Sequence, residues 1–84
     1  MVDPMTIVAT EARAHRTVVI HAREKDGTRE TREIEPYSLR RGKNGRLLFF
    51  WCLKRDAIRS LRVRSITRAE ATGRNFEPRY PVEL

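Results

Sequence analysis

The longest uninterrupted nonpolar run in the chain, residues 47–53, most limits the fold that the sequence can adopt. Its seven residues fall far short of the roughly 20 apolar residues that a membrane helix needs. Both alternating faces of the run are apolar, which is typical of a strand that is covered on each side. The run therefore predicts a buried central strand over residues 46–54, introduced by the tight turn that Asn44 and Gly45 favour.

The N-terminal segment has the pattern of a helix. Asp3 can cap free backbone N–H groups, and Pro4 is tolerated in a first turn. Apolar side chains then recur at helical spacing at Met5, Val8, Ala9 and Ala12. We therefore expect one packing helix over about residues 4–16.

Four further segments alternate as strands do, and they lie at residues 17–23, 29–35, 59–64 and 67–72. We expect the polar segment 29–35 at a sheet edge, with pairing ended by Pro36 because proline lacks a backbone donor. Val63 and Ile66 are an odd step apart, so burying both requires a bulge or tight turn near Ser65. The sequence predicts one domain over residues 1–84, with the strands in about 17–72 and an irregular tail in 73–84.

The charge balance indicates an anionic partner. The chain has 18 basic and 11 acidic residues, a formal charge of +7 and a pI near 10.7. Such a balance favours nucleic acid, nucleotides or an anionic membrane surface, although many basic small domains are merely soluble. Arginine predominates after the apolar run, and guanidinium groups bind phosphate through two parallel hydrogen bonds.

The sequence lacks the residue patterns that metal binding and catalysis need. Cys52 is the one cysteine, which excludes an internal disulfide and fits a reducing, cytoplasmic setting. His15 and His21 have no further ligand at a metal-binding spacing. Cys52 has no partner for nucleophilic catalysis, and Glu33 and Glu35 lack a cleft in so small a chain. We therefore predict no enzyme activity, no metal and no cofactor.

Several segments, taken in order, resemble the WYL domain family. They are Arg32-Glu33-Ile34-Glu35-Pro36-Tyr37, then Gly45-Arg46 with the apolar strand, then residues 59–66 (RSLRVRSI), and finally Phe76. The chain departs from the family pattern where Leu47-Leu48-Phe49 replaces the Trp-Tyr-Leu triplet and where Leu61 replaces a phenylalanine. The resemblance covers nearly the whole chain.

The resemblance implies a mostly β fold, a five-stranded SH3-like or Sm-like barrel with one N-terminal helix. It also implies a role in bacterial transcription regulators that sense a nucleic-acid or nucleotide ligand. Those regulators usually carry an upstream winged helix-turn-helix domain, which we do not expect within these 84 residues. Homo-oligomerisation is compatible with this expectation.

Six side chains are the predicted ligand-binding residues. They are Arg59, Arg62, Arg64, Arg55, Tyr37 and Arg40. The arginines would hold phosphates of single-stranded nucleic acid or of a nucleotide, and Tyr37 would stack on a base or donate to a phosphate. Each has a simpler alternative. The arginines could be a solvated strand face, with Arg59 paired to Glu33 or Glu35, and Tyr37 could pack at the barrel edge.

A second function is compatible with the same sequence. An exposed strand over residues 29–35 could pair with another chain, with the arginines only keeping the domain soluble. The aromatic residues of the apolar run, Phe49, Phe50 and Trp51, are expected to form core rather than a stacking platform.

Overall fold

A computed structural model describes residues 2–84 and shows one helix and five antiparallel strands. The elements are α1 (Pro4–Arg13), β1 (Arg16–Arg23), β2 (Arg29–Gly42), β3 (Gly45–Cys52), β4 (Ala57–Arg62), a 3₁₀ turn (Val63–Ser65) and β5 (Ile66–Asn75). This confirms the predicted mostly β class with an N-terminal helix. The strand order is β4-β3-β2-β1-β5, and no ladder joins β4 to β5 in the described residues. The sheet is therefore open rather than a closed barrel.

Helix α1 begins where the sequence predicts and ends earlier. Asp3 Oδ1 accepts the Met5 N–H at 2.9 Å, which is the predicted cap. The helix ends at Arg13 rather than near residue 16, because His15 takes a φ of 55° and turns the chain into β1. Its apolar stripe packs against β1, β2 and β5.

The core lies between α1 and the inner face of the sheet. Its largest fully buried side chains are Val8, Val18, Ile20, Ile34, Leu48, Phe50 and Cys52. Alternation along β3 buries Leu48, Phe50 and Cys52 and leaves Leu47, Phe49 and Trp51 half-buried on the outer face. The prediction that β3 is covered on both sides thus holds fully on one side and partly on the other.

The strand positions correct two expectations about the middle of the sheet. The central strand is β2 and not β3, and β2 runs through Pro36 instead of stopping there. A bulge between Pro36 and Ser38 accommodates the missing proline donor. Residues 29–34 pair with β1, and β3 pairs with β2 only from Ile34 onward. Within the part of the chain that the structure describes, residues 29–33 therefore have a ladder on one side only, as the polar pattern suggested, although the strand that contains them is central.

The tail beyond β5 is ordered against the outer face of the sheet. The Glu83 N–H donates to the Tyr37 carbonyl at 2.7 Å, and Ser38 and Glu83 form a parallel bridge. Arg79 reaches the carboxylate of Glu35, with 3.1 Å between Nε and Oε1. We call residues 76–84 the C-terminal strap. It covers the part of the sheet where Trp51 and Tyr37 lie.

Candidate anion-binding site

Strand pairing brings two separate parts of the chain to one end of the sheet. Ala22, near the end of β1, pairs with Ile66, the first residue of β5. The turn that follows β1 therefore lies beside the 3₁₀ turn that precedes β5. The predicted break near Ser65 is this 3₁₀ turn, and it is stabilised by a hydrogen bond of 2.7 Å from Ser65 Oγ to the Arg62 carbonyl.

Between the two turns lies an open groove of about 980 Å³. We call it the cationic groove, and its lining residues are Arg23, Glu24, Lys25, Asp26, Leu47, Ser60, Leu61, Arg62, Arg64, Ser65 and Thr67. Its volume is within the range of small-molecule sites. Leu47 and Leu61 supply apolar surface, and the Ser60 hydroxyl is a polar group able to donate to an anion, whereas the Thr67 hydroxyl already donates to the His21 carbonyl at 3.2 Å.

The groove holds four cations that the described residues do not neutralise. Arg23, Lys25, Arg62 and Arg64 have no carboxylate within ion-pair distance in residues 2–84. Some arginines elsewhere are paired, as in the contact of 2.6 Å between Arg74 and Glu33, and others, such as Arg55 and Arg59, are unpaired within the same residues. The groove is therefore set apart by four unpaired cations that line one open space.

Two carboxylates also line the groove, and both have other contacts. Glu24 lies 3.6 Å from Arg32, outside the groove. Asp26 accepts the Thr28 N–H at 2.9 Å, and hydrogen bonds from Thr28 lower the pKa of the Asp26 carboxyl. With four cations against two carboxylates, the groove favours an anionic ligand.

The structure separates the other predicted arginines from this groove. Register pairs Arg59 with Phe50 and Arg62 with Leu47, so strand alternation directs their side chains to opposite faces of β4. Arg55 lies in the turn before β4, at the strand end away from the groove. Arg59 is not paired with Glu33 or Glu35, because these carboxylates bind Arg74 and Arg79. Of the four predicted arginines in this segment, two line the groove.

Tyr37 and Arg40 also lie elsewhere, and the role predicted for Tyr37 requires correction. Tyr37 is 3% exposed, its hydroxyl donates to Glu35 at 2.8 Å, and the same oxygen accepts the Arg79 N–H at 2.9 Å. It is therefore a packing residue with its polar atom satisfied, as the simpler alternative held. Arg40 is exposed and lies 3.5 Å from Glu83 of the C-terminal strap.

Arg23 and Lys25 are groove residues that the sequence reasoning missed. They stand in a stretch that indicates only a turn, where basic and acidic residues alternate. Pairing of β1 with β5 is the signal that would have placed them beside Arg64, and this long-range contact is not visible in local periodicity. Within residues 2–84, no group of three or more metal-ligating side chains is close enough to hold an ion. No helix in that range is long and apolar enough to cross a bilayer.

Comparison with solved structures finds a similar fold in Proteasome accessory factor B/C (PafBC) of Arthrobacter aurescens. The two share 14% sequence identity with a TM-score of 0.77, over 93% of this chain and 13% of that chain. The likeness concerns the fold, and this chain corresponds to a small part of that protein. No curated protein matches this sequence.

The sequence profile of the family described as "WYL domain" matches residues 4–71. The matched span begins at the first residue of α1 and ends within β5, so it includes the helix, strands β1 to β4 and the first part of β5. It contains the first three segments that carry the sequence resemblance and leaves out Phe76 with the rest of the C-terminal strap. This chain belongs to the WYL domain family.

Proposed function

We propose that this domain is a regulatory sensor that binds a phosphate-bearing ligand, single-stranded nucleic acid or a nucleotide, in the cationic groove. The observation that carries the proposal is the convergence of Arg23, Lys25, Arg62 and Arg64 on one open groove without ion pairs in residues 2–84. Guanidinium groups remain charged at all physiological pH values and match phosphate geometry.

Two further observations support the regulatory role and the cellular setting of this proposal. Membership of the WYL family agrees with the regulator function that the sequence resemblance implies. The fully buried thiol of Cys52 has no second cysteine to pair with, which suits the reducing cytoplasm. In this proposal the domain senses the ligand, and a DNA-binding domain on the same or a partner chain acts on transcription.

Fluorescence polarisation with short labelled single-stranded DNA, RNA and nucleotides tests the proposal over a range of salt concentrations. Neutralising about three phosphates of a single strand should give a slope of log affinity against log salt of about −2. The double variant Arg62→Glu, Arg64→Glu should abolish binding. A slope near zero, or binding that survives this variant, would contradict the proposal.

A matched control separates local contacts from overall charge. The double variant Arg55→Glu, Arg59→Glu changes the net charge by the same amount outside the groove. It should retain oligonucleotide affinity to within about threefold at physiological salt, where exposed charges beyond a Debye length are screened. Equal losses from the two double variants would show attraction by the whole surface rather than a site.

A further inference from the structure

Strand β4 has an open edge, and the cationic groove accounts only for the end of it at Ser60, Leu61 and Arg62. The strand lies at the end of the order β4-β3-β2-β1-β5, and no strand pairs with its outer side in residues 2–84. Ile58, Arg59 and Ser60, in the middle of β4, are all exposed. An edge strand presents backbone N–H and C=O groups that point away from its partner, and these groups can pair with another chain.

Charge distinguishes this edge from the opposite one. On β5, Arg68 lies 3.5 Å from Glu70, and Arg74 lies 2.6 Å from Glu33. Both arginines of β5 are therefore paired with a carboxylate. The turn before β4 and the first half of the strand carry Lys54, Arg55 and Arg59 against one carboxylate, Asp56, and none of the three cations has an ion pair in the described part of the chain. The β4 edge therefore complements an acidic partner.

An apolar cleft lies beside the same strand. It has a volume of about 510 Å³, and its lining includes Phe49, Ile58, Tyr80 and Pro81. Ile58 is 41% exposed and Tyr80 is 45% exposed, so two large apolar side chains border the cleft at the surface. Alternation along β4 directs Ile58 to this cleft and Arg59 to the opposite face of the strand.

These features together specify the side-chain pattern of a strand that could add to β4. Neighbouring strands place their side chains side by side on each face of a sheet. An added strand would place an apolar side chain next to Ile58, over the cleft, and a carboxylate next to Arg59 on the other face. A segment in which apolar and acidic residues alternate meets both requirements.

We propose that the open edge of β4 binds an extended segment of a partner protein in which apolar and acidic residues alternate, by adding it as a sixth strand. This surface differs from the cationic groove at Ala57, Ile58 and Arg59, and it meets the groove at the end of β4, where Ser60, Leu61 and Arg62 line it. A second copy of this chain is a poorer occupant. Two β4 strands paired antiparallel would bring two identical sets of cations to one joint, Arg59 on one face and Arg62 on the other, with no carboxylate from β4 to offset them, and like charges close across strands are destabilising.

A fluorescein-labelled peptide of alternating valine and glutamate tests this proposal by polarisation and by amide chemical shifts. We expect saturable binding, with the largest shifts in residues 57–59, the part of β4 outside the groove, and small shifts along β5. A peptide with alternate backbone nitrogens methylated carries the same charges but cannot complete the strand hydrogen bonds, so its affinity should fall by about tenfold or more.

Variants of the domain separate the strand edge from its charge. Arg59→Glu should lower peptide affinity by about tenfold, whereas Arg41→Glu, at an exposed site on β2, should leave it within about twofold. Ile58→Ala tests the cleft and should also weaken binding. The groove variant Arg62→Glu, Arg64→Glu should still show peptide-induced shifts at residues 57–59, even where its affinity is reduced.

Three results would overturn the proposal. The first is equal affinity for the methylated and unmethylated peptides, which would mean attraction by charge alone. The second is a shift pattern centred on Arg23 and Lys25, which would assign the peptide to the groove. The third is self-association of the domain through β4 without peptide binding, which would make a second copy the occupant.

Discussion

The guanidinium carbon of Arg79 lies 4.2 Å from the centroid of the Trp51 ring. The same side chain donates from Nε to the buried carboxylate of Glu35 at 3.1 Å. A single residue of the C-terminal strap thus makes a cation–π contact and neutralises a buried charge. The indole Nε1 beneath it is buried and has no hydrogen-bond partner within residues 2–84. The strap is therefore anchored to the outer face of the sheet.

Arg79→Ala should destabilise the domain by about 2 kcal/mol, because Glu35 would lose its cation and remain largely buried. Urea unfolding measures the loss, and the emission of Trp51, the one tryptophan, should shift to the red as water reaches the ring. Arg40→Ala is the control. Its contact with Glu83 is exposed and 3.5 Å long, so its removal should cost less than about 0.5 kcal/mol. Equal costs would show that the Arg79 contacts do not stabilise the strap.

Ionisation of Tyr37 should lower the stability of the domain at alkaline pH. Burial, together with the hydrogen bond to Glu35, raises the pKa of Tyr37 to about 12. The ordinary tyrosine pKa is about 10, so folding favours the protonated phenol. Its contribution to stability should be complete below about pH 10 and lost as pH rises towards 12. Denaturation at a series of alkaline pH values should show this loss, and Tyr37→Phe should remove it from the profile.

Protonation of Glu33 should lower the stability of the domain at acid pH. The hydrogen bonds from Arg74 lower the pKa of the Glu33 carboxyl below its usual value. Because the folded state favours the ionised form, this stabilisation is present above the unfolded pKa and is lost as pH falls through the folded pKa. Arg74→Gln should therefore reduce stability at neutral pH and flatten its decline between about pH 5 and pH 3. An unchanged acid profile would contradict this assignment.

The sequence predicted the elements of this fold better than their arrangement. Alternation located the buried residues of β1 and β3, and the odd step from Val63 to Ile66 required the 3₁₀ turn that the structure shows. Polarity placed residues 29–35 at an edge, and among the described strands residues 29–33 do pair with β1 alone, but the strand continues past Pro36 and becomes central where β3 also pairs with it. The local pattern could not show this continuation, because it depends on the pairing of β2 with β3.

The difference between local pattern and long-range pairing also explains which groove residues the sequence could predict. Arg62 and Arg64 were identified because they are close in sequence, and the groove contains both. Arg59 was grouped with them because it is close in sequence. Strand alternation, however, places Arg59 on the same face of β4 as Leu61, opposite to Arg62. Arg23 and Lys25 depend on the pairing of β1 with β5, which local patterns do not encode. The buried position of Tyr37 depends likewise on the strap that folds over it.

Leu47 and Leu48 offer a direct test of the two faces of β3. Leu48 is fully buried in the core, while Leu47 is half-buried at the groove. Leu48→Ala should cost about 3 kcal/mol because it leaves a cavity, and Leu47→Ala should cost about 1 kcal/mol. Chemical denaturation measures both, and equal costs would contradict the assigned register of β3 and β4. The comparison is well matched because the two residues are chemically identical neighbours.

Removing the negative charge of Asp26 should raise the affinity of the cationic groove for anions. Its carboxylate faces the cations of the groove, and the Thr28 contacts that lower its pKa keep it ionised. Asp26→Asn removes one negative charge and keeps an oxygen that can accept the Thr28 N–H. Affinity for a single-stranded oligonucleotide should rise by about threefold to tenfold at low salt, and this gain should shrink as salt increases. Glu77→Gln removes the same charge from an exposed position outside the groove, so its effect on affinity should be much smaller. If both variants raised the affinity equally, the net charge of the domain, rather than the groove, would govern binding.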